Sequence, residues 1–101
     1  MGVRSRSSVS GAQFGLSIAG SVVSLTPPAR GTGANVAEIY VRTAPIVFTR
    51  DGTDPTATKG IQAEIGDIIL LNSRDEVDKF KAIRVSASAT LDIDYFTDIS
   101  G

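Results

Sequence analysis

Apolar and polar residues alternate over much of this chain, the two-residue period of half-buried β-strands. Phe14, Leu16 and Ile18 fall on alternate positions. Gly20 ends that run and Val22 to Leu25 is a second β-prone stretch, so Ala19-Gly20-Ser21 is expected to turn a hairpin. Pro27-Pro28, Gly31 and Gly33 then make residues 26–35 a loop. From Asn35 to Arg42, Ala37, Ile39 and Val41 alternate with Glu38, Tyr40 and Arg42. Ala44-Pro45 interrupts this strand and Ile46 to Arg50 forms the next, with Pro45 tolerable at a strand's first residue. Asp51-Gly52 is a turn signal, and Thr53-Asp54-Pro55-Thr56 lengthens the loop. Ile61, Ala63 and Ile65 alternate with Gln62 and Glu64 up to Gly66-Asp67. Ile68-Ile69-Leu70-Leu71 is an unbroken apolar run, expected as a strand covered on both faces.

The one good helix signal follows. Ser73-Arg74-Asp75-Glu76 is a capping box, in which Ser73 caps the amide of Glu76 and Glu76 reaches back to the N-cap amide. Asp75 and Glu76 also suit the positive end of the helix dipole. The helix is expected over Arg74 to Phe80, with Val77 and Phe80 facing the core. Ala82 to Val85 reads as a strand with Ile83 and Val85 inward, and Ser86-Ala87-Ser88 as a turn. In Ala89 to Phe96 the alternation is clearest: Leu91, Ile93 and Tyr95 take one face, and Asp92, Asp94 and Phe96 the other.

About seven or eight short strands at this spacing, with one short helix near 74–80, give an all-β fold, either a sandwich or a barrel. Its expected core is Ile39, Val41, Phe48, Ile69, Leu71, Phe80, Ile83, Leu91, Ile93 and Tyr95. Residues 1–12, rich in Ser and Gly, bury too little to offset their ordering entropy. They are expected as a flexible N-terminal arm on a single domain spanning 13–101.

At 101 residues one domain is the natural unit, and it buries only roughly two-thirds of its unfolded surface. Identical neighbours or a larger surface would add burial, so a homo-oligomer, dimer or trimer, is expected. The net charge of −1 argues against a nucleic-acid binder. Its distribution is uneven, however. Arg4, Arg6 and Arg30 are the only charges in residues 1–37, whereas residues 38–101 hold seven bases and eleven acids. Arginine suits bidentate pairing with carboxylates, which makes Arg4, Arg6 and Arg30 candidate partner contacts. No apolar run approaches the roughly 18 residues of a membrane span, and the Ser-rich start is a poor signal peptide.

The chain has neither Cys nor His, so disulfides, thiolate chemistry and the commonest general base and metal ligand are all missing. Asp92 and Asp94 sit about 7 Å apart on one strand face, too far for a shared proton. Asp51, Asp54 and Asp67 occupy turns, where Asp is common anyway, without the bidentate Glu of a calcium loop. Gly31-Thr32-Gly33 is no phosphate loop. No catalytic, metal or cofactor site emerges, and the expectation is a non-enzymatic binding protein. Tyr40 and Phe96 are the aromatics expected to face outward. Tyr40 is therefore a further candidate contact, also for a lectin-like, glycan-binding alternative.

From Val36 onward the chain resembles a class of small tailed-bacteriophage virion proteins. The likeness is carried by Ala37-Glu38-Ile39-Tyr40-Val41, Ala44-Pro45-Ile46, Asp51-Gly52-Thr53-Asp54-Pro55-Thr56-Ala57-Thr58 and Gly60-Ile61. It continues through Gly66-Asp67-Ile68-Ile69, Phe80-Lys81-Ala82-Ile83-Arg84 and Ala89-Thr90-Leu91-Asp92-Ile93-Asp94-Tyr95-Phe96. The resemblance implies a jelly-roll-like β-sandwich and a virion role. The role would be capsid decoration (cement) on the major capsid protein, or alternatively a head–tail connector or tail component. It implies no catalytic residues.

Overall fold

The computed structural model describes residues 6–29 and 34–98. Eight strands and one helix follow in order: β1 (Arg6–Ile18), β2 (Val23–Ser24), β3 (Val36–Arg42), β4 (Ile46–Thr49), β5 (Ile61–Ala63), β6 (Ile68–Leu71), α1 (Arg74–Lys79), β7 (Lys81–Arg84) and β8 (Ala89–Asp98). Two four-stranded antiparallel sheets result, ordered β1-β8-β3-β6 and β2-β7-β4-β5. First pairs with last, second with seventh, third with sixth, fourth with fifth. The chain is thus one long ribbon, folded back at the β4–β5 loop and wound so that β8 also meets β3 and β7 also meets β4. That winding is a jelly roll.

This topology corrects the expected hairpin of Phe14–Ile18 with Val22–Leu25, because β1 and β2 belong to different sheets. β2 pairs instead with β7, Val23 opposite Ala82, and the intervening Ala19 carbonyl accepts from the Arg84 amide (3.1 Å). β1 also starts well before Gln13: the backbone of 6–12, expected in the arm, pairs with the last residues of β8, Arg6 opposite Asp98 and Ala12 opposite Asp94. Backbone pairing needs no apolar side chain, and β8 offers a full ladder of partners there. Residues 1–5 of that arm lie outside the described residues.

The core lies between the sheets. Ala37, Ile39, Val41, Ile69, Leu71, Leu91, Ile93 and Tyr95 face it from one side, and Ile46, Phe48, Ala63 and Ala82 from the other. Phe80 joins it from the helix end, its ring stacked on Phe48 at a centroid distance of 5.6 Å. Tyr95 is buried but keeps its hydroxyl satisfied by donating to Gln13 Oε1 (3.0 Å), which also accepts from the Thr26 amide (3.2 Å). Helix α1 follows the capping box. Ser73 Oγ accepts from the Glu76 amide (3.2 Å), and Glu76 reaches one residue further back than expected, to the Asn72 amide (2.8 Å). Phe80 is the C-cap, just past the helix.

Three further expectations are corrected. In β7 it is Ala82 that is fully buried, while Ile83, and Val85 just past the strand, are half-buried. Ile83 stands opposite Val47 on the outer face of its sheet. An apolar residue is tolerated there because the β4–β5 loop folds over this face: Pro55 is buried, and Gly60 sits so close that a Cβ would lie 2.6 Å from Val47 Cγ1. That loop is a built structure. The Asp51 carboxylate accepts from the Thr53 amide (3.0 Å), Asp54 pairs with Lys81 (2.8 Å), and Thr56 and Lys59 exchange backbone hydrogen bonds. Second, β6 is not covered on both faces, for it lies at a sheet edge with Ile68 and Leu70 exposed. Third, Phe96 shares the alternation of Asp92 and Asp94 yet is buried, beside its ladder neighbour Val36, which is itself buried and apolar.

Candidate functional site

The outer face of the β1-β8-β3-β6 sheet carries the most distinctive surface. Across its middle the register places Ile68, Tyr40 and Asp92 in one row and Leu70, Glu38 and Asp94 in the next. Phe14 extends the first row onto β1. It arrives there through a β-bulge: the β1–β8 register shifts between Gln13 and Leu16, where Gly15 takes a left-handed φ of 73°. Such a backbone suits glycine, which has no Cβ to clash. The bulge aims the Gly15 amide at Asp92 Oδ1 (2.8 Å) and leaves the Phe14 ring 72% exposed.

Asp92 is the hinge of this arrangement. Its other oxygen accepts from Arg42 Nη1 (2.8 Å). The Arg42 hydrogen bond first, and the Gly15 amide second, hold its carboxyl below the ordinary value of 3.8. β1, β8 and β3 are thereby tied together across the face. Tyr40 donates to Glu38 Oε1 (2.9 Å), which links the two rows through its hydroxyl. At the end of the strands Thr43 is held at φ 70°, and the Ala44 amide donates back to the Arg42 carbonyl (2.9 Å). This tight turn carries the chain from one sheet to the other.

Phe14, Tyr40, Arg42, Ile65, Asp92 and Asp94 enclose an open depression of about 610 Å³. Beyond it the apolar surface runs around the β5–β6 side of the molecule. Ile65 is 60% exposed, Ile68 56%, Ile61 49% and Leu70 41%. Large exposed apolar side chains gathered in one region mark interaction sites, whereas single scattered ones do not. The chemistry of the depression is that of binding: two aromatic rings, aliphatic walls, and two carboxylates, of which Asp92 is already engaged by Arg42 and the Gly15 amide.

Of the sequence-derived contact residues, Tyr40 lies within this surface. Arg6 opens β1, and only its backbone is described; Arg4 and Arg30 lie outside the described residues. The turn acids hold the fold: Asp51 caps a turn, Asp54 pairs with Lys81, and Asp67 accepts from the Glu64 amide (2.8 Å). Among the described residues, no three His, Cys, Asp or Glu side chains come together as a metal-binding group, and no helix is long and apolar enough to cross a membrane. Phe14 and Ile65 are not among the contacts expected from the sequence. Their signals were the glycines that follow them, since an isolated Gly in a strand pattern marks a bulge or bend. Set against known protein families, curated proteins and solved structures, the chain matches none.

Proposed function

We propose that this chain is a non-enzymatic structural protein of a tailed-phage particle, a decoration protein that binds the major capsid protein on the outer capsid surface and stabilises the shell. The observation that carries the reading is the surface of exposed Phe14, Ile65, Ile68 and Leu70 around a half-buried Tyr40 on a small jelly roll. A domain of 101 residues gains most from burying such a surface on a large, repeating partner. The phage-like pattern from Val36 onward supports the same role. In this reading the chain is made in the host cytoplasm and ends on the virion. Arg4, Arg6 and Arg30 add charged contacts to acidic neighbours.

The test is occupancy of purified chain on empty shells of the source particle. Phe14→Ser and Tyr40→Ala should each reduce it, and deletion of residues 1–5 should weaken its salt dependence. Unchanged occupancy in all three would remove the proposed contacts. Labelling at a single vertex or along the tail would instead select the connector or tail role.

A second reading has its own observation. Phe14 and Tyr40 flank Asp92 and Asp94 around the depression, and aromatic faces beside carboxylates suit a sugar ring and its hydroxyls. Jelly rolls serve lectins as well as capsids, so the fold does not choose between them. Glycan-array binding lost on Tyr40→Ala would favour this reading.

A further inference from the structure

We propose that two copies of this chain pair through β6, edge to edge and antiparallel about a two-fold axis at Ile69, joining their sheets into one continuous sheet. The inference stands on the strand itself and does not depend on the virion reading.

The two sheets have four outer strands, and three of them are blunted in the ways natural sheets use to prevent edge pairing. β1 has register irregularities at three places along its length. β2 is two residues long and β5 three. β6 differs from all of them. Its four residues, Ile68-Ile69-Leu70-Leu71, pair with β3 in unbroken register and include no charge, proline or bulge. Among the described residues no strand pairs with its outer side.

The backbone fixes which groups are free. In an antiparallel ladder, alternate residues direct both their N–H and C=O to the same neighbour. The Val41 amide donates to the Asp67 carbonyl (3.1 Å), so residues 67, 69 and 71 address β3. The N–H and C=O of Ile68 and Leu70 then point outward. With the two-fold at Ile69, Ile68 of one copy meets Leu70 of the other and exchanges both bonds, and the symmetric pair does the same. No other two-fold register satisfies both residues at once.

The side chains agree. On the outer face each exposed Ile68 packs across the seam against an exposed Leu70. No like charges meet, because the nearest charged residue, Asp67, stands opposite Leu71 of the second copy. Ile61 and Ile65, exposed on the same side of the molecule, extend the apolar contact beyond the strand. A closed, isologous dimer of this kind also removes the one edge left open to further addition.

Sedimentation equilibrium of the purified full-length chain should show a dimer. Leu70→Lys changes an exposed side chain and should weaken self-association by at least about tenfold, with the far-ultraviolet spectrum and melting transition retained. Leu70→Glu should act alike. Because the chain has no cysteine, the register is open to direct mapping. At Ile69 the two-fold creates a non-hydrogen-bonded pair with Cα atoms about 4.5 Å apart, within disulfide reach. Ile69→Cys should cross-link as a homodimer on mild oxidation far faster than Leu70→Cys. A monomeric wild type, a dimer insensitive to both Leu70 substitutions, or cross-linking no faster at Ile69 than at Leu70 would each overturn the proposal.

Discussion

Replacing Phe80 by Ala tests the core at its most exacting point. Phe80 is fully buried, ends α1, begins the approach to β7, and stacks on Phe48 with its ring tilted by 24°. Truncation removes the ring's transfer free energy and leaves a cavity, together about 3–5 kcal/mol. Of this, about 0.5–1.5 kcal/mol belongs to the aromatic pair. The surroundings have little room to close in. Val77 on one side and Ala82 on the other are themselves buried, and both are anchored by regular backbone hydrogen bonds. The loss therefore falls in the upper part of that range, against a total stability of about 5–15 kcal/mol for a domain of this kind. At about 4–8 °C per kcal/mol, the melting temperature should fall by about 16 °C or more. Urea unfolding followed by circular dichroism measures the loss of free energy, and a thermal scan the shift. Phe80→Leu, which keeps most of the volume, should lose less than half as much. A loss below about 1 kcal/mol for the alanine variant would mean that Phe80 does not bridge helix and sheets as described.

Three other outcomes follow from local geometry. Gly60→Ala should cost about 1–3 kcal/mol, because φ is 134° and a Cβ would press on Val47 Cγ1 and the Phe48 carbonyl; equal urea midpoints for variant and wild type would contradict the docked loop. Asp92 is held below its ordinary value by Arg42 and the Gly15 amide, so its contribution is present above about pH 4 and lost as pH falls through the lowered value. Asp92→Asn should flatten that acid-side decline, and parallel pH–stability profiles would refute the clamp. Burial pushes the Tyr95 phenol up to about 12, against an opposing pull from Arg74. Its contribution is complete below the ordinary value of 10.0 and lost between there and about 12; absorbance titration should find that late phenol in the wild type and not in Tyr95→Phe.

Local signals in the sequence carried far, and winding did not. The capping box specified α1, and the inner face of β8 was written as Leu91, Ile93 and Tyr95, because both depend on neighbours in sequence. The pairing of β1 with β8 and β2 with β7 joins residues more than fifty positions apart, and no turn chemistry encodes it. Val22 to Leu25 therefore read as a hairpin partner for the strand just before it. The phase of β7 is hidden in the sequence because Ile83 is more apolar than Ala82, and the loop that shelters it is itself a tertiary feature. Ile68 to Leu71 read as doubly covered for the reason that makes the strand notable, its apolar side chains on both faces at an edge. At the site, Tyr40 was legible from alternation. Phe14 was not, because one bulge residue reverses a strand's faces.

Cryo-electron microscopy of the source particle tests the decoration role most directly. It should show the jelly roll in many copies on the outer surface of the capsid shell, with the face around Phe14 and Tyr40 turned against the major capsid protein. Absence of the chain from the particle, or its presence only in the neck or tail, would contradict the decoration role.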